Sequence, residues 1–500
     1  MHRYWKTLLA IAAFVPSAGA AASCESLLSL SLPDAKITSA ESLAAGAFTP
    51  PSATQPLRDL PAVCRIAATL APSKDSDIKV EVWMPATGWN GKFQAVGNGG
   101  WSGAINYGGL AGAVRRGYAS ASTDTGHSGG SAQFAFGHPE KLIDFGYRSE
   151  HEMTVKAKAI VAAFYGSGPK FSYWNGCSSG GKQGLKEAQK YPEDYDGIIA
   201  GAPANNWVAL LSSDMMNTFA MLKDPASRIL APKRAALHKA AVEACDAVDS
   251  LKDGLIGDPT KCHFDPAALL CKGPDTETCL TAAQVAAAKT VYGPFTDLRT
   301  RKEIFPGLEP GSELGWGAFT GPEPFSISDG YFRYVVHQNP DWDFRTFDVA
   351  KDVALADKQD RDNVLKAVDP NLKAFVSRGG KLIIYHGWSD NLIAPRNSIN
   401  YYNSVVSKMG GREKTESSVR LFMAPGMGHC AGGDGPNDSD MVTPLEQWVE
   451  QGKPPDRVIA SHRTGDQTDR TRPWCPYPQV AKYKGEGSTD DAANFVCSMP

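Results

Sequence analysis

Between residues 78 and 204, short apolar runs alternate with segments of helical periodicity. Runs typical of strands occupy residues 80–84, 93–96, 118–122, 171–174 and 197–200. Helical periodicity covers residues 151–165 and 182–190, and Pro192 ends the second segment. Strands that alternate with helices in this way predict an α/β fold with a largely parallel sheet.

The pattern changes after Pro203. Residues 205–376 contain helical patches, four of the ten cysteines and loops rich in Pro and Gly, without a regular alternation of strands and helices. Strand-like runs resume at residues 381–385 and 419–423, and a helix is predicted around residues 444–451.

The length of the chain, 500 residues, exceeds what one hydrophobic core usually serves. We therefore predict an α/β core formed by residues 23–204 and 377–500. A lid domain, residues 205–376, is inserted between its two parts.

The N-terminus has the features of a secretory signal peptide over residues 1–22. Arg3 and Lys6 precede an apolar stretch at residues 8–15, and small residues follow at 20–22. The apolar stretch is shorter than the roughly 20 residues of a membrane-spanning helix. The chain is predicted to be secreted or periplasmic, with no membrane partner.

The charge of the chain argues against nucleic-acid binding. The formal net charge is −3, and acidic and basic residues are mixed along the chain. Because nucleic-acid binding needs a basic patch, no nucleic-acid partner is predicted. The sequence does not indicate an oligomeric state.

All ten cysteines follow residue 22, and an even number in an exported chain predicts disulfides. Free thiols or a metal site are the alternative, but no Cys-x-x-Cys spacing is present. Sequence alone does not fix connectivity. Local spacing suggests Cys24–Cys64, Cys245–Cys262, Cys271–Cys279 and Cys475–Cys497, which leaves Cys177–Cys430 as a long-range bridge.

Ser178 is the candidate nucleophile. It lies in Gly-Cys-Ser-Ser-Gly-Gly, residues 176–181, which fits the G-x-S-x-G turn between a strand and a helix. A strand-like run precedes this motif and a helical segment follows it, as the motif requires. The alternative is an ordinary serine in a strand–helix turn.

His429 and Asp390 are the candidate base and acid. His429 follows a late strand in a Gly-rich loop, and Asp390 follows the strand at residues 381–385. The order Ser, Asp, His is that of α/β-hydrolases. Cys430 could tether His429 to the nucleophile through Cys177. The competing residues are His127, His151, His386 and His462 for the base, and Asp434, Asp438 and Asp440 for the acid.

The oxyanion formed during acyl transfer needs backbone N–H donors. The N–H of Ser179, directly after the nucleophile, is the first candidate. Residues 97–100, Gly-Asn-Gly-Gly, follow an early strand and offer the second. We favour Gly100 over Gly99, and the alternative is a Gly-rich turn without a catalytic role.

These motifs together resemble the tannase and feruloyl esterase family over nearly the whole mature chain. The resemblance rests on residues 176–181, 387–390, 428–430 and 96–100, and on the set of cysteines. It implies an α/β-hydrolase core with a large inserted lid and the same five disulfides. The family also includes an enzyme that hydrolyses mono(2-hydroxyethyl) terephthalate, so membership indicates chemistry better than substrate.

The acidic segment at residues 245–259 resembles the family's calcium loop. The resemblance implies a structural Ca²⁺, because oxygen donors at such spacing suit this ion. The alternative is a solvated acidic turn. The implied donors are the carboxylates of Asp246, Asp249 and Asp253 and the carbonyls of Leu251 and Leu255.

The resemblance implies a serine carboxylic ester hydrolase that cleaves small aromatic esters, feruloyl, hydroxycinnamoyl or galloyl, through an acyl-enzyme. A mono(2-hydroxyethyl) terephthalate hydrolase is the alternative. A non-catalytic ligand-binding protein on the same scaffold is disfavoured, since Ser, Asp and His are all present. A serine peptidase would need a peptide subsite, which no motif indicates. Aromatic residues of the lid are candidates for lining the acyl pocket, namely Phe295, Trp316, Phe319, Phe325 and Tyr331.

Overall fold

The computed structural model describes residues 23–51 and 53–500, so the predicted signal peptide lies outside the described residues. A nine-stranded sheet forms the centre of the molecule, in the order β1-β2-β3-β5-β4-β6-β7-β8-β9. Its strands in chain order are β1 (Ala35–Leu43), β2 (Val63–Leu70), β3 (Ile78–Pro85), β4 (Lys92–Val96), β5 (Ala119–Thr123), β6 (Phe171–Cys177), β7 (Gly197–Gly201), β8 (Lys381–Gly387) and β9 (Val419–Ala424).

The sheet is antiparallel at one end and parallel elsewhere. Strands β1, β2, β3 and β5 pair antiparallel, whereas the pairs from β5 through β4 to β9 are parallel. Every residue of β7 is buried, as expected for a strand covered on both faces. The predicted strands and their largely parallel pairing are therefore confirmed.

Helices cover both faces of the sheet. One apolar cluster joins the strands to helices Ser149–Tyr165, Ser179–Lys190 and Arg396–Met409. A second cluster, on helices Tyr107–Arg115 and Val442–Gln451, also contains residues of the strands. Shorter helices are Pro139–Ile143, Lys373–Ser377 and Arg412–Glu416.

The chain between β7 and β8 is mainly helical. Its buried side chains form a cluster that also contains Trp101 and Phe145 from loops of the core. Because this cluster is shared, the division into a core and a separate lid domain stays a prediction. The segment contains helices Trp207–Leu222, Ala231–Cys245, Ala282–Tyr292, Ser326–Gly330 and Val349–Gln359, and strands Phe295–Thr296 and Glu303–Phe305.

Strands β1 and β2 of the central sheet were not predicted, and neither were seven further strands. Each of those seven has at most three consecutive buried residues, so its apolar run is short. These strands are Gly46–Phe48, Leu57–Leu60, Asp438–Ser439, Val458–Thr464, Gln467–Trp474, Val480–Tyr483 and Phe495–Ser498. Within the part of the chain that is described, no helix is long and apolar enough to cross a bilayer.

All ten cysteines are paired. The five bridges have the connectivity that local spacing and the family resemblance indicated: Cys24–Cys64, Cys177–Cys430, Cys245–Cys262, Cys271–Cys279 and Cys475–Cys497.

Candidate active site

Ser178 lies at the sharp turn between β6 and the helix Ser179–Lys190. Its φ of 64° and ψ of −122° are rare for a residue with a side chain, and such a conformation costs about 1–3 kcal/mol. The surrounding glycines make the turn possible. A Cβ on Gly176 would lie 2.6 Å from the Gly180 backbone, and one on Gly181 would lie 2.4 Å from the Gly201 carbonyl oxygen.

Asp390 and His429 form a hydrogen-bonded pair. His429 Nδ1 lies 2.8 Å from Asp390 Oδ2. The other oxygen, Oδ1, accepts the N–H groups of Leu392 at 2.8 Å and Ile393 at 2.9 Å. Asp390 is fully buried, so its ionised form depends on these partners.

The pair shifts both pKa values. Burial alone would raise the pKa of the Asp390 carboxyl, but His429 and His386 together hold it well below its usual range. Burial tends to lower the pKa of His429, but the Asp390 carboxylate outweighs that effect and raises it. The site therefore favours an ionised aspartate next to a readily protonated imidazole.

A disulfide joins the segment of Ser178 to the segment of His429. Cys177 directly precedes Ser178 and Cys430 directly follows His429. Their Cα atoms lie 6.0 Å apart across the bridge, although 253 residues separate them in the chain. The structure thus places the segment of Ser178 beside the segment of His429, and His429 on Asp390.

His386 makes a second hydrogen bond to the same carboxylate. Its Nε2 lies 3.0 Å from Asp390 Oδ2, and its Nδ1 lies 2.7 Å from the Ser398 hydroxyl. The ring is fully buried and both nitrogens are occupied. His429 makes no hydrogen bond through Nε2 with the described residues. His386 is therefore a support for Asp390, which its position four residues earlier could have suggested.

The other candidates for the base and the acid are bound to partners other than Asp390 and His429. Their partners are Asp194 for His151, Asp469 for His462, the Trp101 carbonyl for His127, His238 for Asp434, Arg463 for Asp438 and Arg116 for Asp440.

The loop at residues 97–100 packs directly against the nucleophile turn. Gly180 N–H donates to the Asn98 carbonyl at 2.8 Å, and the Ser179 hydroxyl donates to the Gly100 carbonyl at 2.8 Å. Gly100 has a φ of 51°. The N–H groups of Ser179 and Gly100 are left without an internal partner among the described residues.

Sequence reasoning missed the residue that fixes this loop. Gln183, on the helix after Ser178, accepts the Asn98 N–H at 3.0 Å. Its amide nitrogen donates to Asn98 Oδ1 at 3.2 Å. The only signal in the sequence was that Gln183 is a polar residue in the second turn of a buried helix.

A cavity of about 960 Å³ adjoins the site on the side of the disulfide. Both Cys177 and Cys430 line it, together with Gly99 and Tyr385, whereas Ser178 and His429 do not. This volume is in the range of small-molecule sites.

Most aromatic residues proposed for the acyl pocket belong to the interior of the insert. Trp316, Phe319 and Tyr331 are fully buried, and Phe295 is almost so. Phe325 is half-buried. The expectation that these residues line a pocket therefore loses support for all but Phe325.

The acidic loop has the oxygen donors that calcium needs, but they already have partners. Asp246 Oδ1 accepts the N–H groups of Asp253 at 3.0 Å and Gly254 at 3.1 Å. Asp253 Oδ2 lies 2.6 Å from Arg472 Nη2. In the described residues the carboxylates of Asp246, Asp249 and Asp253 do not converge within 4.8 Å of one another. The donor chemistry fits Ca²⁺, while the arrangement does not by itself indicate an ion.

The family model described as tannase and feruloyl esterase matches residues 64–498. The chain belongs to the tannase and feruloyl esterase family. An uncharacterised esterase of Xanthomonas campestris pv. campestris is 38% identical over 98% of this chain and 94% of the relative. A probable feruloyl esterase B-1 of Aspergillus flavus is 37% identical, over 87% of this chain and 86% of the relative.

Solved structures of the tannase and feruloyl esterase family share the fold. The crystal structure of feruloyl esterase B from Aspergillus oryzae matches with a TM-score of 0.90 at 32% identity, over 95% of this chain and 99% of the other. A tannin acyl hydrolase from Aspergillus niger matches with a TM-score of 0.79 at 22% identity, over 95% of this chain and 94% of the other. The predicted α/β-hydrolase fold is thereby confirmed.

Proposed function

We propose that the protein is an exported serine esterase that hydrolyses carboxylic esters of aromatic acids. The observation that carries the proposal is the hydrogen bond from His429 to the buried Asp390, held beside the nucleophile turn by the Cys177–Cys430 bridge. Nucleophile, base and orienting acid in this arrangement are the parts that acyl transfer requires.

In the proposed reaction, Ser178 attacks the ester carbonyl while His429 takes the proton of its hydroxyl through Nε2. The ester C–O bond then breaks, and His429 returns the proton to the leaving alcohol. Water, activated by the same imidazole, attacks the acyl-enzyme and releases the acid. Asp390 holds the ring in the required tautomer and stabilises the imidazolium.

The N–H groups of Ser179 and Gly100 are proposed to stabilise the oxyanion. Both lie free of internal partners in the described residues, on loops that contact each other. The Ser179 side chain donates to the Gly100 carbonyl, which anchors the peptide that follows the one carrying the Gly100 N–H. Preorganised donors of this kind contribute about 3–4 kcal/mol each to transition-state stabilisation.

The preference for aromatic acids is supported by the relatives. The probable feruloyl esterase B-1 is 37% identical to this chain over 87% of its length. The structure of feruloyl esterase B is 32% identical over 95% of it. Export is supported by the predicted signal peptide and by the five disulfides, which persist in oxidising compartments.

A structural calcium ion is also proposed. The acidic loop offers three carboxylates and two backbone carbonyls, and calcium accepts six to eight oxygen ligands. Bound there, the ion would supply charge neutralisation and link the loop to the rest of the insert. It would take no part in the ester chemistry.

The test of the function is a comparison of the parent with Ser178→Ala on methyl ferulate, methyl gallate and mono(2-hydroxyethyl) terephthalate. We expect turnover of the first two esters by the parent. Removing a serine nucleophile costs on the order of 10⁶ in turnover in a well-studied triad, so Ser178→Ala should be inactive and folded.

The matched control is Ser167→Ala, an exposed serine in the turn after the helix Ser149–Tyr165. It should behave as the parent. A preference for the terephthalate ester would replace feruloyl and galloyl esters as the proposed substrates. Activity of Ser178→Ala within tenfold of the parent would exclude Ser178 as nucleophile.

A further inference from the structure

His238 lies between two carboxylates that belong to different parts of the chain. Its Nδ1 is 2.8 Å from Glu313 Oε2, and its Nε2 is 2.9 Å from Asp434 Oδ2. Glu313 is fully buried and Asp434 is half-exposed. An imidazole that faces a carboxylate through each nitrogen satisfies both only as the imidazolium, because both nitrogens must then donate.

Asp434 lies in the same tight loop as His429. The loop folds back on itself: Gly428 N–H donates to the Gly432 carbonyl at 2.8 Å, and Gly435 N–H donates to the Gly426 carbonyl at 3.1 Å. A Cβ on Gly433 would lie 2.2 Å from the Gly426 carbonyl oxygen. Backbone hydrogen bonds therefore connect the part of the loop that carries Asp434 to the part that carries His429.

The segment that contains Glu313 also contacts the loop of Asp390. The Asn391 side chain, adjacent to Asp390, donates to the Gly315 carbonyl at 2.9 Å. Glu313 itself is anchored by the Tyr292 hydroxyl at 2.6 Å and the Gly311 N–H at 2.8 Å. One segment of the insert therefore reaches both the acid loop directly and the base loop through His238.

We propose that His238, as an imidazolium between Glu313 and Asp434, is a positioning residue that holds the loop of His429 in its reactive geometry. The role rests on the proposed esterase function and acts through Asp434 alone, since His238 bonds to neither Ser178 nor His429. A displacement of reacting groups by about 1 Å can cost on the order of a hundredfold in rate.

The charges around His238 make this role dependent on pH. Burial acts to lower the pKa of His238, but the hydrogen bonds to Asp434 and Glu313 outweigh it and raise the pKa to about 9. The other charged groups near Asp434 are His462 and Arg470, which favour its ionised form. The ordinary pKa of histidine is about 6.5.

The sign of the effect follows from the raised pKa. The stabilisation that protonated His238 gains from Glu313 and Asp434 is fully present below the ordinary histidine pKa of about 6.5. It is lost as pH rises through about 9. If His238 positions the base, kcat/KM of the parent should fall in the same alkaline range, as pH rises through about 9.

The experiment measures kcat and KM for methyl ferulate from pH 6 to pH 10 in the parent, His238→Gln and Asp434→Asn. We expect each variant to lose at least tenfold in kcat at pH 7, with KM changed less than twofold. Neither variant should show the alkaline fall near pH 9. The double variant, His238→Gln with Asp434→Asn, should lose no more kcat than the more impaired single variant.

His138→Gln is the matched control. It removes a histidine–aspartate pair, His138 with Asp75 at 3.0 Å, whose histidine is half-exposed and makes no hydrogen bond to the insert or the two loops. Its pH profile should match that of the parent, including the alkaline fall.

Three outcomes decide the matter. An unchanged kcat and an unchanged alkaline fall in His238→Gln would overturn the positioning role. If that variant does not fold, Asp434→Asn, altered at a half-exposed side chain, gives the same decision. A parent without activity on any ester in the panel would instead overturn the proposed function itself.

Discussion

The carboxylate of Asp390 is fully buried and still ionised because it collects four hydrogen bonds. Two come from backbone N–H groups and two from the imidazoles of His429 and His386. An isolated buried charge would be neutralised by a proton instead. The arrangement leaves His429 Nε2 without a hydrogen bond to the described residues, and this is the nitrogen proposed to take the Ser178 proton.

Replacing Asp390 with Asn tests this assignment. The amide keeps the shape of the side chain but favours the wrong tautomer of His429, so turnover should fall by on the order of 10⁴. The acidic limb of the pH–rate profile should also move to lower pH, because the Asp390 charge that raises the pKa of His429 is gone. Measurement of kcat/KM from pH 4 to pH 8 gives both quantities.

Asp440→Asn is the control for that experiment, since Asp440 bonds to Arg116 and to Thr443. It should leave turnover within about twofold of the parent. A large loss in Asp440→Asn together with a small loss in Asp390→Asn would contradict the role of Asp390.

At the scale of elements, the nucleophile turn depends on close contact between β6, the following helix and the loop after β4. Gly97 and Gly176 both face the Gly180 backbone, where an added Cβ would lie 2.6 Å away in either case. Close packing of this kind leaves no room for side chains. The Cys177–Cys430 bridge attaches a fourth element, the loop of His429, to these three.

Removing that bridge with Cys177→Ala and Cys430→Ala should reduce the kcat of the folded protein, and not only the fraction of protein that is folded. The two segments meet only in the tertiary structure, so misplacement of reacting groups by about 1 Å can cost on the order of a hundredfold. Kinetics on the folded double variant, with peptide mapping under non-reducing conditions for the parent, provide the measurement.

The control removes the bridge Cys475–Cys497, which spans 22 residues near the C-terminus. It should lower the melting temperature but leave kcat of the folded protein close to that of the parent. Free thiols at Cys177 and Cys430 in the parent, or equal kcat losses in the two bridge variants, would refute the tether.

At the scale of the whole molecule, the acidic loop connects the insert to the C-terminal strands. Asp253 pairs with Arg472 at 2.6 Å, and both side chains are almost fully buried. Arg472 lies on the strand Gln467–Trp474. A calcium ion at this loop would therefore stabilise the contact between two distant parts of the chain.

Chelation tests the proposed ion. A ligand that binds only the folded state stabilises it by mass action, by about 2.7 kcal/mol at a hundred times its Kd. We expect the melting temperature to fall by several degrees in excess EDTA and to recover when Ca²⁺, but not Mg²⁺, is restored. Differential scanning calorimetry provides the measurement.

The triple variant Asp246→Asn, Asp249→Asn and Asp253→Asn should melt at the same temperature with and without calcium. As a control, Asp297→Asn alters an exposed turn whose carboxylate caps backbone N–H groups in the insert. It should retain the full response to calcium. If the melting temperature of the parent is the same in EDTA and in Ca²⁺, the proposal of a structural ion is wrong.

Periodicity identified strands β3 to β9 and three of the helices because buried strands are continuous apolar runs with a clear signal. It missed β1, an edge strand with few buried residues, because an edge strand faces solvent and has no such run. It also missed β2, a buried strand in which Arg65, paired with Glu81, interrupts the apolar run. The motif at residues 176–181, the order of Ser178, Asp390 and His429, and the cysteine count were all properties of local sequence. These determined the fold class and the candidate triad.

Only the tertiary structure decided which groups meet. His386 on Asp390, Gln183 on Asn98, and His238 between Glu313 and Asp434 are contacts across loops and elements. Nothing in the sequence near Glu313 or His238 distinguishes them from surface charges. Their partners are set by how the insert packs on the core, and that packing depends on the summed burial of many side chains. Local sequence therefore specified the candidate reacting groups, whereas long-range packing specified what holds them.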